Sequence, residues 1–298
     1  LRTMDRVLKE KGFVRLARAA SEQLSYALEH KEVDCDDVTI IYASIAEIMD
    51  LPLFAVVLPS HAFLRWQLNN GNSFNWEALL HGEPETDEVT LKGYPVSKYS
   101  VENGSYFKSL TRRELTGYCY YKISNSWNAK IYVANKQLSP NFREFALKSI
   151  ENNTKSIEFN AKVPQMYLNR GHTLSILGDL KGSLRDYEEA KKLDPHDPVT
   201  YLLIANISIE ESKSSNDVGA CYQKAIDNTN QVIDLKDQGI HVDDRIMFWN
   251  YDLRCKIWDK KGELDQHAKD QKMKEFYHQK VIEYMRMIND YNRNQRGG

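Results

Sequence analysis

Residues 164–197 read PQMYLNRGHTLSILGDLKGSLRDYEEAKKLDPHD, and this stretch decides the reading of the C-terminal half. A 34-residue helix–turn–helix unit fits it, with Tyr167, Gly171, Tyr187, Ala190 and Pro195 falling where such a repeat needs bulky, small, bulky, small and Pro. The reason is geometric. The first helix needs a small residue where the second crosses it, and Pro closes the unit before the next begins. Asp197-Pro198 opens a second unit with Tyr201, Ala205, Tyr222 and Ala225 at nearly the same offsets and one residue added near 212–216. A third, degenerate unit runs from Asp244 through Gly262 and Ala268. The last helix carries Met273, Tyr277, Val281, Tyr284, Ile288 and Tyr291 at three- and four-residue steps, which suits a terminal cap.

These units resemble tetratricopeptide repeats over residues 164–298. Such repeats stack because one helix pair cannot bury its apolar face alone, and the resemblance implies a concave groove that holds an extended peptide. The partner-facing positions are then Gln165, Leu168 and His172 in the first unit, and Leu202, Asn206 and Ile209 in the second.

Upstream the period changes. Residues 3–30 have helical character with Gly12 as a break, and 30–34 form a polar connector. Cys35 opens a helix over 36–49 whose stripe is Val38, Ile41, Ile45 and Ile48, widened by Tyr42 and Met49; Asp50 and Pro52 end it. Leu53–Leu58 reads as a buried strand, His61–Gln67 as a second and Ser73–Ala78 as a third. Ala62, Leu64, Trp66, Phe74 and Trp76 share one face and are assigned to the core. His61, Phe63, Arg65, Ser73, Asn75 and Glu77 share the other. A two-residue Asn70-Gly71 turn would break that agreement, so an odd-length loop or a bulge is expected. Residues 82–103 read as irregular. Thr111 and Glu114 form a capping box for a helix through Leu115, Tyr118 and Tyr121, and 139–160 form another helix.

One constellation carries chemistry. A thiol at a helix start gains from the unpaired N–H groups there, an imidazole on a neighbouring strand serves as its base, and a third polar group orients the ring. Cys35, His61 and Asn75 fill those roles by position, an arrangement of papain-like type. Glu77, two residues past Asn75 on the same face, is the second candidate for the orienting group or a substrate contact. Arg65 shares that face as a further substrate contact. Asp36 and Asp37 place negative charge beside the thiol and oppose thiolate formation. Cys119, Cys221 and Cys255 lie in helical patterns and read as structural.

The segment from Cys35-Asp36-Asp37 to Asp50-Leu51-Pro52, followed by His61-Ala62-Phe63 and Asn75-Trp76-Glu77, resembles the core of transglutaminase-like proteins. The pattern is similar to the bacterial SirB1-type members that carry tetratricopeptide repeats behind the core. Asn75 stands where that family usually has Asp. The resemblance implies an α+β class, with a papain/transglutaminase-like domain over 1–145 and an all-α repeat domain over 146–298. It implies a cysteine-dependent acyl transfer, hydrolytic or to an amine, with Cys35 as nucleophile, His61 as base and Asn75 as orienter. The alternative is a catalytically inactive core of the same kind supporting protein interactions through the repeats.

Composition bounds the partners. Lys+Arg 40 against Asp+Glu 42 leaves a net charge of −2 in 298 residues, which speaks against a generally basic nucleic-acid binder and an acidic disordered tail. The longest apolar stretch, 40–58, is interrupted by Glu47, Asp50 and Pro52, so no integral membrane segment is expected. Four cysteines without a CxxC pair and eight histidines without HxxxH spacing suggest neither a disulfide framework nor a metal site, and no cofactor is expected. The chain starts at Leu1 rather than Met, which reads as a processed or truncated product whose targeting segment is gone; no localisation is assigned. The partner expected is a protein or peptide.

Overall fold

The computed structural model describes residues 1–15, 24–59, 61–77, 84–94, 96–136 and 139–296. Leu16, Ala17, Ala20, Ser60 and Ala78, together with the side chains of Leu24, Tyr26 and Tyr291, lie outside the described residues. The chain divides into two compact units, Leu1–Asp194 and Pro195–Gly298.

In the first unit, α1 (Arg2–Glu10) stops at Gly12, whose φ of +82° is open to glycine. The chain then turns extended instead of continuing as helix: β1 (Val14–Arg15) comes before α2 (Leu24–His30) and pairs in parallel with β2 (Glu32–Val33). The next helix, α3 (Cys35–Ile48), is capped by Asp34, whose side chain accepts from the Asp37 N–H at 3.0 Å while Asp37 accepts the Asp34 N–H at 3.2 Å. Its buried residues are Asp37, Val38, Thr39, Ile40, Tyr42, Ala43 and Ala46. The expected Ile stripe is rotated outward, with Ile48 85% and Met49 62% exposed. Ala43 and Ala46 explain the difference, because small residues bring a helix closer to its neighbours than a row of Ile does.

The strands β3 (Leu53–Leu58), β4 (His61–Gln67), β5 (Ser73–Trp76) and β6 (Pro84–Glu85) form one antiparallel sheet in sequence order. β4 pairs with β5 through Arg65↔Asn75 and Trp66↔Phe74, so the 68–72 loop is odd in length and keeps the two faces in agreement. Trp66 and Phe74 stack, with centroids 6.5 Å apart. The outer edge of β3 is covered by 107–110: Phe107 N–H donates to Val57 O and Leu110 N–H to Ala55 O. Residues 82–103 are not wholly irregular. They contain α4 (Asp87–Gly93), capped by Thr86, and α5 (Lys98–Glu102), capped by Ser97.

Four longer helices follow in the same unit: α6 (Arg112–Lys136), α7 (Phe142–Phe159), α8 (Pro164–Ile176) and α9 (Leu180–Leu193). α6 and α7 pack closely at Gly117, where an added Cβ would lie 3.0 Å from Phe159 Cβ. α8 and α9 do so at Gly171, where a Cβ would meet the buried Tyr187 ring at 2.7 Å. This is the small-against-bulky crossing of a helical repeat. The second unit continues with α10 (Pro198–Glu211), α11 (Val218–Asp237), α12 (Asp244–Lys261) and α13 (Leu264–Arg296) around Leu202, Ala205, Val232, Met247, Leu253 and Ile257. In α13, Tyr277 is buried and stacks on Tyr251 at 5.8 Å, while Met273 and Tyr284 are exposed.

The α+β, papain/transglutaminase-like class is therefore corrected: about 70% of the described residues are helical, beside a small antiparallel sheet. The period-two signal is strong but ends by Trp76, and from Arg112 onward nearly everything is helix.

Gly171→Ala is expected to destabilise the protein by about 1–3 kcal/mol, because the Tyr187 ring occupies the space of the new methyl. Gly219→Ala, exposed in α11 with only Asp217 Oδ1 at 3.6 Å, should be neutral or stabilising. Urea unfolding of both variants checks the contrast.

Candidate functional site

The start of α3 is enclosed by charge. Lys122, one turn beyond Tyr118 on α6, is 2% exposed and lies 2.8 Å from Asp34 Oδ2, 3.4 Å from Asp36 Oδ2 and 3.7 Å from Asp37 Oδ1. Tyr118 donates its hydroxyl to Asp36 Oδ1 at 2.5 Å. Burial works against the Lys122 charge, but Asp36, Asp34 and Asp37 outweigh it and hold the ammonium above its ordinary range. Asp37 is fully buried. Desolvation, helped by Asp34 and opposed by Lys122, pushes its carboxyl up to about 7.

Cys35 is the first residue of α3, with Sγ 3.7 Å from Asp36 Oδ1. The backbone N–H of Ala62 on β4 hydrogen-bonds to the sulfur and favours the thiolate. Burial dominates, and with the Asp36 and Asp34 charges it pushes the thiol up to about 12.

His61, the first residue of β4, meets Glu77 rather than Asn75. Nε2 and Glu77 Oε2 are 2.5 Å apart, both side chains are buried, and the imidazole lies flat on Tyr94 with ring centroids 3.9 Å apart and 5° between planes. The register explains the choice. Asn75 sits opposite Arg65, four residues or roughly 13 Å along β4 from His61, whereas Glu77 is two residues nearer. That arithmetic needs only a loop centred on Asn70, and it is the signal that favours Glu77 from sequence.

Asn75 and Arg65 belong to a separate network. Arg65 Nε donates to Asn75 Oδ1 at 2.9 Å, NH1 to Phe107 O at 3.0 Å and NH2 to Asp87 Oδ1 at 2.9 Å. The Asn75 amide donates to Asp87 Oδ1 and Thr90 Oγ1. The guanidinium lies 4.5 Å from the centre of the Phe107 ring. Arg65 is thus a buried tie between the sheet, α4 and the 107–110 segment, with each of its three nitrogens hydrogen-bonded inside the protein.

The groove positions separate by burial. Leu168 and Leu202 are buried, Gln165 and Ile209 are half-buried, and His172 and Asn206 are exposed. Ile209 packs against the core of the second unit. Spacing of four from Gln165 and three before His172 places Asn169 on the same face of α8, a residue the repeat pattern alone passes over.

Among the described residues no group of three or more His, Cys, Asp or Glu is placed to hold a metal ion, and no helix is long and apolar enough to cross a membrane. No protein-family model matches the chain, and no curated protein matches it. Among solved structures it is similar to MamA, at 13% identity and a TM-score of 0.39 over 59% of this chain and 100% of that one. It is also similar to the TPR domain of Arabidopsis OM64, at 17% identity and a TM-score of 0.32 over 45% and 97% of the two chains. A third is the Sgt2 TPR domain from Aspergillus fumigatus, at 16% identity and a TM-score of 0.30 over 55% and 82%. These neighbours are repeat proteins of the tetratricopeptide type, and none of these findings supports a transglutaminase-like core.

Asp37 makes stability depend on pH with a definite sign. Its folded pKa of about 7 lies above the ordinary 3.8, so the native state holds a proton that the unfolded chain releases. The stability it contributes is complete below about pH 4 and is lost as pH rises toward 7, at no more than about 1.4 kcal/mol per pH unit. Asp37→Asn should therefore stabilise the protein more at pH 8 than at pH 5 in urea titrations. An equal effect at both values would contradict the assignment.

Proposed function

We propose that the chain is a protein-interaction module that binds a polypeptide segment on the inner faces of its helical repeats. The observation that carries the reading is the series of antiparallel helix pairs with close small-against-bulky crossings, above all Gly171 beneath Tyr187. Pairs stacked in this way leave one residue row of each first helix open to solvent, and Gln165 and His172 lie in that row on α8. A random octapeptide pool selected on the full chain should enrich binders that His172→Glu weakens and Cys35→Ala leaves unchanged. Binders indifferent to substitutions along α8 would overturn the reading.

A second reading, cysteine-dependent acyl transfer, is supported by the His61–Glu77 pair and by the Ala62 N–H on the Cys35 sulfur. In it Cys35 is the nucleophile, His61 the base and Glu77 the group that orients the ring. Asn75 supports it only through the Arg65 network. The high thiol pKa weighs against it, because the reacting species is the thiolate. Iodoacetamide labelling at pH 7 separates the two. Alkylation of Cys35 ahead of Cys119, Cys221 and Cys255, slowed by His61→Ala, would favour the enzyme. Labelling of Cys35 no faster than Cys119 is the result expected of the interaction module.

A further inference from the structure

Two faces of α13 differ in what they meet. Toward α12, Asp270 accepts from Arg254 Nε at 2.8 Å and from the Trp258 indole N–H, and Lys274 pairs with Asp252 at 2.8 Å. On the same side Tyr277 stacks on Tyr251, and His278 on Phe248 with ring centroids 5.1 Å apart. A second row, Met273, Phe276, Lys280, Glu283 and Met287, recurs at steps of three, four, three and four, the heptad spacing of a helix seam. All five side chains are exposed, Phe276 by 49% and Met287 by 61%. The Lys280 ammonium lies 4.8 Å from the centre of the Phe276 ring, which puts the two on one face. Tyr284, also exposed, borders the row.

We infer that this row is a self-association surface, on which α13 of a second copy of the chain lies antiparallel, with the two-fold axis between residues 281 and 282. In that register Phe276 faces Met287 of the second copy, Lys280 faces its Glu283, and both contacts recur by symmetry. Charge selects the occupant and its direction. The row holds one cation and one anion three residues apart. Antiparallel packing brings these unlike charges together twice, whereas parallel in-register packing sets Lys280 beside Lys280 and Glu283 beside Glu283. The layers outside the charged pairs are thioether against ring, a favourable match. At 1.5 Å per residue the row from Met273 to Met287 is about 21 Å long. One helix pair of that length falls short of the roughly 800 Å² per partner of a standard interface, so the association is a weak one that builds with concentration. The inference goes beyond the peptide-binding reading, whose residues lie on α8, and stands or falls separately.

Sedimentation equilibrium of the full chain, from about 10 μM to 1 mM, reads the association directly. The chain should pass from monomer to dimer and no further, since a two-fold seam closes on itself. Glu283→Lys turns both unlike pairs into like ones and should weaken the dimer about tenfold or more. Lys280→Glu acts the same way from the other side. An equal mixture of these two variants should associate at least as well as the unaltered chain, because one copy then brings two cations to the seam and the other two anions. Phe276→Ser combined with Met287→Ser should abolish association. Unfolding midpoints confirm that each variant folds.

A chain that stays monomeric at the highest concentration overturns the proposal. So does a dimer that Glu283→Lys leaves as stable as before, because the antiparallel register would then be wrong. Association that survives the loss of both Phe276 and Met287 lies on another surface and has the same consequence. Growth beyond the dimer would mean an open head-to-tail contact in place of the two-fold seam, and the proposal would fall on that result as well.

Discussion

The structure of the first unit turns on the placement of Lys122. Its ammonium is inserted among Asp34, Asp36 and Asp37 at the start of α3, and this joins the first long repeat helix to the helix lying beside the sheet. A buried cation with one partner is costly to hold, whereas three carboxylates and the 2.8 Å contact to Asp34 keep it charged. Burial, with the neighbouring Asp34 charge, raises the Asp37 carboxyl toward neutrality, which lessens the negative charge the cluster carries. Removing Lys122 alone would leave those carboxylates buried without a counter-charge, so the geometry of α3, its cap and the Cys35 environment all depend on one side chain of α6.

The same clamp decides the state of the thiol. A helix N-terminus stabilises an anion, and on that ground Cys35 reads from sequence as a candidate thiolate. In the folded chain the positive end of α3 is already answered by the Asp34 and Asp37 capping box. Lys122 is directed to carboxylates and Tyr118 to Asp36, so among the described residues the sulfur is left with the Ala62 N–H and a lesser pull from Lys122. Acidic residues that suit a helix start for structural reasons therefore occupy the electrostatics a nucleophile would need.

How far the sequence could be read follows from the range of each signal. Local signals carried well: the 53–58, 61–67 and 73–76 strands, the odd-length loop, the Thr111–Glu114 box and the Gly171–Tyr187 crossing are all set by neighbours within a few residues or by a fixed repeat. The misplaced features depend on partners distant in sequence. The buried face of α3 runs through Val38, Ile40, Tyr42, Ala43 and Ala46, so it keeps Val38 and Tyr42 of the expected stripe and leaves Ile45 and Ile48 exposed. Arg65 and Asn75 share the His61 face as alternation requires, but α4, which supplies Asp87 and Thr90, lies in a stretch that reads as irregular. A strong sheet pattern confined to 24 residues gave the first half an α+β character that its many helices do not sustain.

The way α6, α7 and α8 are joined bears on how they can move against one another. Ser124, Ser149, Asn153 and Thr173 are all fully buried, and they form a hydrogen-bonded chain from Ser124 through Asn153 and Ser149 to Asn128 and Thr173. An apolar interface of the same size tolerates sliding, since Leu and Ile contacts are non-directional. A chain of hydroxyls and amides does not, because a shift of even one ångström leaves buried donors unpaired at a cost of about 1–3 kcal/mol each. The register of α6 against α8 is thereby fixed.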